Sequence, residues 1–219
     1  YIPGSWMSSI QVTKGMGPVG NGFESIAGQI NAELKKPEEK QKLFLNAYGN
    51  EMGRMELNLF SRFRLSNKWS TALLLHGKTL QARSDNNDDA FLDVPLSNHF
   101  IGMNRWKYLG SNGFRMQFGV KAIYMDQIGG QVDFSPSKHK LDTNVFGLGI
   151  NTRKVEAFGK FGYVFPKNKF SSFGLQVSAM NHSQQSYFGT RIYNADQESG
   201  YANLIYQSII GNTQHKIKL

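Results

Sequence analysis

From Leu43 onward the chain repeats with a period of two. Leu43, Leu45 and Ala47 alternate with Phe44, Asn46 and Tyr48. Beyond a turn at residues 49–53, Met55, Leu57, Leu59, Ser61, Phe63 and Leu65 alternate with Glu56, Asn58, Phe60, Arg62 and Arg64. Successive side chains of a strand point to opposite faces, so this pattern sets each strand between two unlike environments. Trp69, Thr71, Leu73 and Leu75 form one face of a third strand, and Ser70, Ala72, Leu74, His76 and Lys78 the other. The cleanest run has Phe114, Met116, Phe118, Val120, Ala122 and Tyr124 opposite Arg115, Gln117, Gly119 and Lys121. Weaker or similar runs fall at 100–109, 152–165, 173–179 and 201–210, with the start of another at 217–219. The pattern predicts an all-β, antiparallel protein with about eight strands.

The connections alternate in length. Short turns are expected at 66–67, 110–113, 166–169 and 211–215, and long ones at 81–98, 126–144 and 182–199. Short turns on one side and long loops on the other are the habit of bacterial outer-membrane barrels. Many of the strands are long enough to cross a bilayer while tilted. The polar face carries Glu56, Arg62, Arg64, Arg115, Lys121, Glu156 and Lys160. In a barrel these side chains face a wet lumen or a plug; in a sandwich they face bulk water. The pattern alone does not separate the two. Trp69, Trp106, Tyr108, Tyr124, Tyr163 and Phe165 lie near strand ends and suit interfacial girdles.

Composition removes several classes. No stretch approaches the roughly 20 apolar residues of a membrane helix, which leaves a membrane barrel open. The absence of cysteine excludes thiolate metal sites and disulfides. The net charge of +9 is scattered, and no zinc-finger or RNA-binding motif accompanies it, so no nucleic-acid partner is expected. No nucleophile elbow, His-Glu-x-x-His or phosphate loop occurs, and an enzyme is not expected.

The segment Ile10–Pro37 differs from the rest. A short strand leads to Lys14-Gly15, then to Gly17, Pro18, Gly20 and Gly22, then to a second extended piece ending at Lys35-Lys36-Pro37. Gly22, Ile26, Gly28, Ile30 and Asn31 resemble the Tyr-Gly-x-x-Ala-Ile-Gly-Gly-x-Ile-Asn segment that closes the plug of TonB-dependent outer-membrane receptors. Asn21 replaces the usual aromatic, and Ala27 the first of the paired glycines. The polar run Pro37–Lys40, with no apolar residue after the proline, is where a domain boundary is expected. The wording at Glu24–Asn31, Tyr163–Pro166 and Asn181-His182 is most similar to Bacteroidetes receptors of this family.

The resemblance implies that residues 1–37 are the C-terminal part of a plug domain. It implies that residues 38–219 are the first part of a transmembrane β-barrel, a partial piece of a larger plugged barrel. It further implies import of a scarce small-molecule ligand across the bacterial outer membrane by plug gating, without a cofactor. The partners would be outer-membrane lipid and the TonB complex, engaged through an N-terminal part this sequence lacks. Ligand contacts are expected at Met16 and Asn21 in the plug and at His76 and His182 in the lumen or loops. Glu24 is expected to pair with Arg62, Arg64 or Arg115 across the plug–barrel contact. No metal site is expected: Met16, Met52, His76, Met103 and His182 lack ligand spacing, and Asp85, Asp88 and Asp89 lack the EF-hand glycine and glutamate. The alternatives are a small structural or passive outer-membrane barrel, and a soluble carbohydrate-binding β-sandwich.

Overall fold

The structure is a computed structural model that describes residues 1–17, 27–211 and 215–218. It is all-β and antiparallel, in two sheets. A 3-10 turn at Gly4–Trp6 leads into β1 (Met7–Lys14), which pairs with β2 (Gly28–Leu34). The second sheet is a nine-stranded meander. Its first strands are β3 (Leu43–Gly49), β4 (Arg54–Arg64), β5 (Trp69–Leu80) and β6 (Leu96–Leu109). Then come β7 (Phe114–Gly130), β8 (Gly147–Val164), β9 (Ser172–Phe188), β10 (Arg191–Ile209) and β11 (Lys216–Lys218). One helical turn, α1 (Pro136–His139), lies between β7 and β8. No helix among the described residues is long and apolar enough to cross a membrane, which says nothing of a β-barrel.

The sheet is open: β3 and β11 end the ladder without pairing to each other, so a barrel is not formed by these strands. The strand expected to start at 217–219 is β11, which pairs with β10 over Gln207–Ile209. One sequence expectation changes. The long loop expected at 182–199 is instead the extension of β9 and β10, joined by Gly189-Thr190. Gly189 has φ +59° and Thr190 does not share it, the pattern of a type II′ hairpin turn. Polar residues on both faces hid this extension, but the backbone ladder runs unbroken from Arg191↔Phe188 to Gln207↔Ser172. The connections at 81–95 and 131–146 remain long and lie at one end of the sheet.

Register sorts the two faces. Phe60, Leu74, Met103, Lys121 and Glu156 follow one another across β4–β8 on one face, here the inner face. It holds the core: Phe60, Ala72, Leu74, Ile101, Met103, Ile123 and Met125, joined by Trp6. The opposite, outer face bears Leu45, Leu57, Val120, Val155 and Leu204, each half or more exposed. The charged residues of β3–β10 on that face are Asp126, Arg153, Asp196 and Glu198. All four lie in the half of their strands nearer the long connections. At the other end runs an aromatic row. Trp69 meets Tyr108 at 4.9 Å and Trp106 stacks on Phe118 at 6.3 Å. Phe165 meets Phe173 at 5.6 Å, and Phe173 meets Tyr206 at 4.9 Å.

Candidate functional site

The N-terminal unit seats on the inner face through few but specific contacts. The 3-10 turn buries Trp6 to 1% exposure in the core cluster. Its indole Nε1 has no hydrogen-bond partner among the described residues. Beside it, the Ser5 hydroxyl donates to Asn58 Oδ1 at 2.8 Å. The same oxygen lies 2.8 Å from His76 Nδ1. Asn58 Nδ2 donates to Asn46 Oδ1 at 3.2 Å. Asn58 Oδ1 can only accept, so His76 carries its proton on Nδ1.

A second anchor comes from β6. The buried Arg105 guanidinium donates to the carbonyls of Leu34 and Lys35, at 3.3 and 3.1 Å. Both acceptors lie where β2 ends and the chain leaves for the larger sheet. There the Lys35 amide also donates to the Trp6 carbonyl at 2.8 Å. The Lys35 ammonium stands 4.0 Å above the Phe44 ring. Glu38 pairs with Lys107. On β2, hydrogen bonds from Lys36 and Ser9 hold the Glu33 carboxyl below the usual carboxylate range.

Between this unit and the sheet lies a cavity of about 720 Å³. Lys36, Arg105, Arg115, Lys121 and Lys160 line it against two carboxylates, Glu33 and Glu156. Glu33 is taken by Lys36, and Glu156 by Lys121 at 3.0 Å and Lys154 at 3.2 Å. Arg115 and Lys160 have no carboxylate partner among the described residues. The cavity wall therefore carries a surplus of positive charge. In a partly enclosed site such a surplus raises the local concentration of anions.

The residues expected from sequence are distributed differently. Asn21 and Glu24 lie outside the described residues. Met16 is 83% exposed beside Gly15. His76 is buried under Ser5 and Asn58 and serves the contact with the N-terminal unit. His182 sits on β9, not in a loop, and its Nε2 has no partner among the described residues. It is four strands from His76, on the order of 19 Å along the sheet, so the two do not form one site. Arg115 lines the cavity. Among the described residues Arg62 reaches the Lys40 carbonyl at 3.4 Å, and Arg64 bonds Ser66 and Asn67 in its own turn. The contacts that sequence reasoning missed are Ser5, Trp6, Asn58 and Arg105. A lone tryptophan beside Pro3 and Gly4 was the available signal for an anchored turn. Arg105, on a weakly alternating strand, gave none.

Comparison with protein-family models, with curated proteins and with solved structures finds no match.

Proposed function

We propose that this chain is part of a TonB-dependent outer-membrane receptor. In this reading the N-terminal unit is the end of the plug, and the nine-stranded sheet is a section of barrel wall. The observation that carries it is the assignment of the two faces. The face bearing charges and buried polar groups receives the N-terminal unit, while the apolar face stays exposed along Leu45, Leu57, Val120, Val155 and Leu204 and is covered only at one end, by the connection at 131–146. A soluble sandwich does the reverse and buries its apolar face against a second sheet. The aromatic row at one edge of the apolar face supports an interfacial girdle. The cavity, with Arg115 and Lys160 unpaired, favours an anionic small molecule as the imported ligand. Import would follow a shift of the N-terminal unit about the Trp6 and Arg105 anchors, an opening change without covalent chemistry.

The test uses the protein carrying this chain, purified in detergent and returned to phosphatidylcholine bilayers with brominated acyl chains. A nitrobenzoxadiazole label at Val120→Cys, on the outer face, is quenched by the bromines. The same label at Gln117→Cys, on the inner face, is not. A protein that stays monodisperse without detergent, with neither label quenched, overturns the membrane reading.

A further inference from the structure

A second cavity lies on the outer face, at the end of the sheet with the long connections, away from the N-terminal unit. It has a volume of about 410 Å³, within the range of small-molecule sites. The connection at 131–146 folds over the sheet to wall it. Phe134, 1% exposed, lies on Gly147, where a Cβ would come within 2.2 Å of its ring. The Tyr187 ring lies likewise on Gly149, where a Cβ would come within 2.5 Å of the ring and its hydroxyl. The two rings stand 6.2 Å apart, and Lys140 Nζ is 5.2 Å from the Tyr187 ring centroid. Glycine at two alternate positions of β8 thus lets two aromatic side chains lie flat and build a wall. Larger residues at either position would push them off the sheet.

The polar groups around this wall are amides, one carboxylate, one phenol hydroxyl and two cations. Asp126, Asn151, Gln185, Tyr187 and Asn194 line the cavity together with Lys140 and Arg153. Tyr187 is 9% exposed, yet its hydroxyl has no partner among the described residues. The Gln185 amide is also free of side-chain bonds there. Asn194 uses its Oδ1 to accept from the Ser186 amide at 3.2 Å, which leaves its Nδ2 donors available. Asn151 donates to Asp126 at 3.2 Å, fixing the carboxylate with acceptor capacity to spare. The Tyr187 hydroxyl opens into the cavity and is free to bond a molecule there. Ile128 and Ile192 add apolar surface to the lining.

We propose that this cavity binds carbohydrate. Amide donors and acceptors, one oriented carboxylate, two cations and an aromatic ring match the vicinal hydroxyls of a sugar ring, which exchanges hydrogen bonds with neutral and charged side chains alike. The sugar belongs either to a glycolipid of the surrounding membrane, reached along the outer face, or to a free glycan. The site does not depend on import.

The experiment is saturation-transfer NMR and titration on the detergent-purified protein carrying this chain. The probes are intact rough lipopolysaccharide, the oligosaccharide released from it by deacylation, and maltotriose. Saturable binding of the deacylated oligosaccharide or of maltotriose is expected, weakened about tenfold in Tyr187→Phe combined with Gln185→Leu. Tighter binding of the lipopolysaccharide sugar assigns the membrane source; tighter binding of maltotriose assigns a free glycan. Gln176→Leu, on the inner face, serves as the control and leaves binding unchanged. Binding by intact lipopolysaccharide alone reports lipid contact and overturns the proposal. So does an absence of saturable sugar binding, or binding that the double variant leaves intact while its circular dichroism is unchanged.

Discussion

Trp6 shows how much one side chain decides. Truncating a buried aromatic costs about 3–5 kcal/mol through lost burial and the cavity left behind. Trp6→Ala is expected to release the N-terminal unit, seen as rapid proteolysis in the linker at 37–42. Trp6→Phe keeps most of the ring and removes an indole N–H that has no partner among the described residues. It should cost markedly less than Trp6→Ala and leave the linker protected; equal proteolysis of the two variants would show that ring burial is not the anchor. Asp93 offers a pH test in the connection at 81–95. The Ser84 hydroxyl donates to it at 2.6 Å and the Asn86 amide at 2.9 Å, and both hold its carboxyl below the ordinary value. The folded-state pKa is depressed, so the ordering is fully present above about pH 3.9 and is lost as pH falls through the lowered value. The Asn86 amide resonance should be unchanged between pH 7 and 5 and move only in stronger acid. In Asp93→Asn it should be shifted at every pH.

At the scale of elements, the turns divide into those that require glycine and those that do not. Gly113 closes the β6–β7 connection with φ +86°, and a Cβ there would meet the Val164 carbonyl oxygen of β8 at 2.2 Å. That atom is backbone held in the ladder and cannot step aside. Gly113→Ala combines backbone strain of about 1–3 kcal/mol with this clash. Gly77→Ala, inside β5 with nothing near its Cβ, should be close to neutral or slightly stabilising. Denaturant unfolding followed by tryptophan fluorescence separates the two; equal midpoints would contradict the contact. The short connections near 66–67, 110–113 and 166–169 were legible from their Gly, Asn and Pro content, because those residues carry the turn chemistry themselves. The upper halves of β9 and β10 were not. Asn181, Ser183 and Gln185 face outward and His182 and Gln184 inward, so no alternation marks the strand. Only hydrogen bonding to the neighbouring strands makes these residues a strand, and pairing is invisible to a local pattern.

For the whole molecule, the outer face provides the sharpest test. Val120 is 51% exposed at the centre of that face. If lipid covers it, Val120→Arg costs about 2–4 kcal/mol. If water covers it, a surface substitution changes stability by only about 0.5 kcal/mol. Refolding yield into lipid vesicles, measured beside Gln117→Arg on the inner face, distinguishes the two; equal yields would return the face to water. By itself the sequence determined that the chain is all-β, that its strands have two unlike faces, and where most of them turn. Those properties are local, since side chains alternate within each strand and turn residues set their own dihedrals. Tertiary structure alone decided that Ser5, Trp6 and Arg105 anchor the N-terminal unit, that His76 and His182 are apart, and that the sheet stays open. It also decided that residues from β7 to β10 meet around Tyr187. Each of these depends on register passed from strand to strand, where a shift of one residue would turn every side chain to the other face.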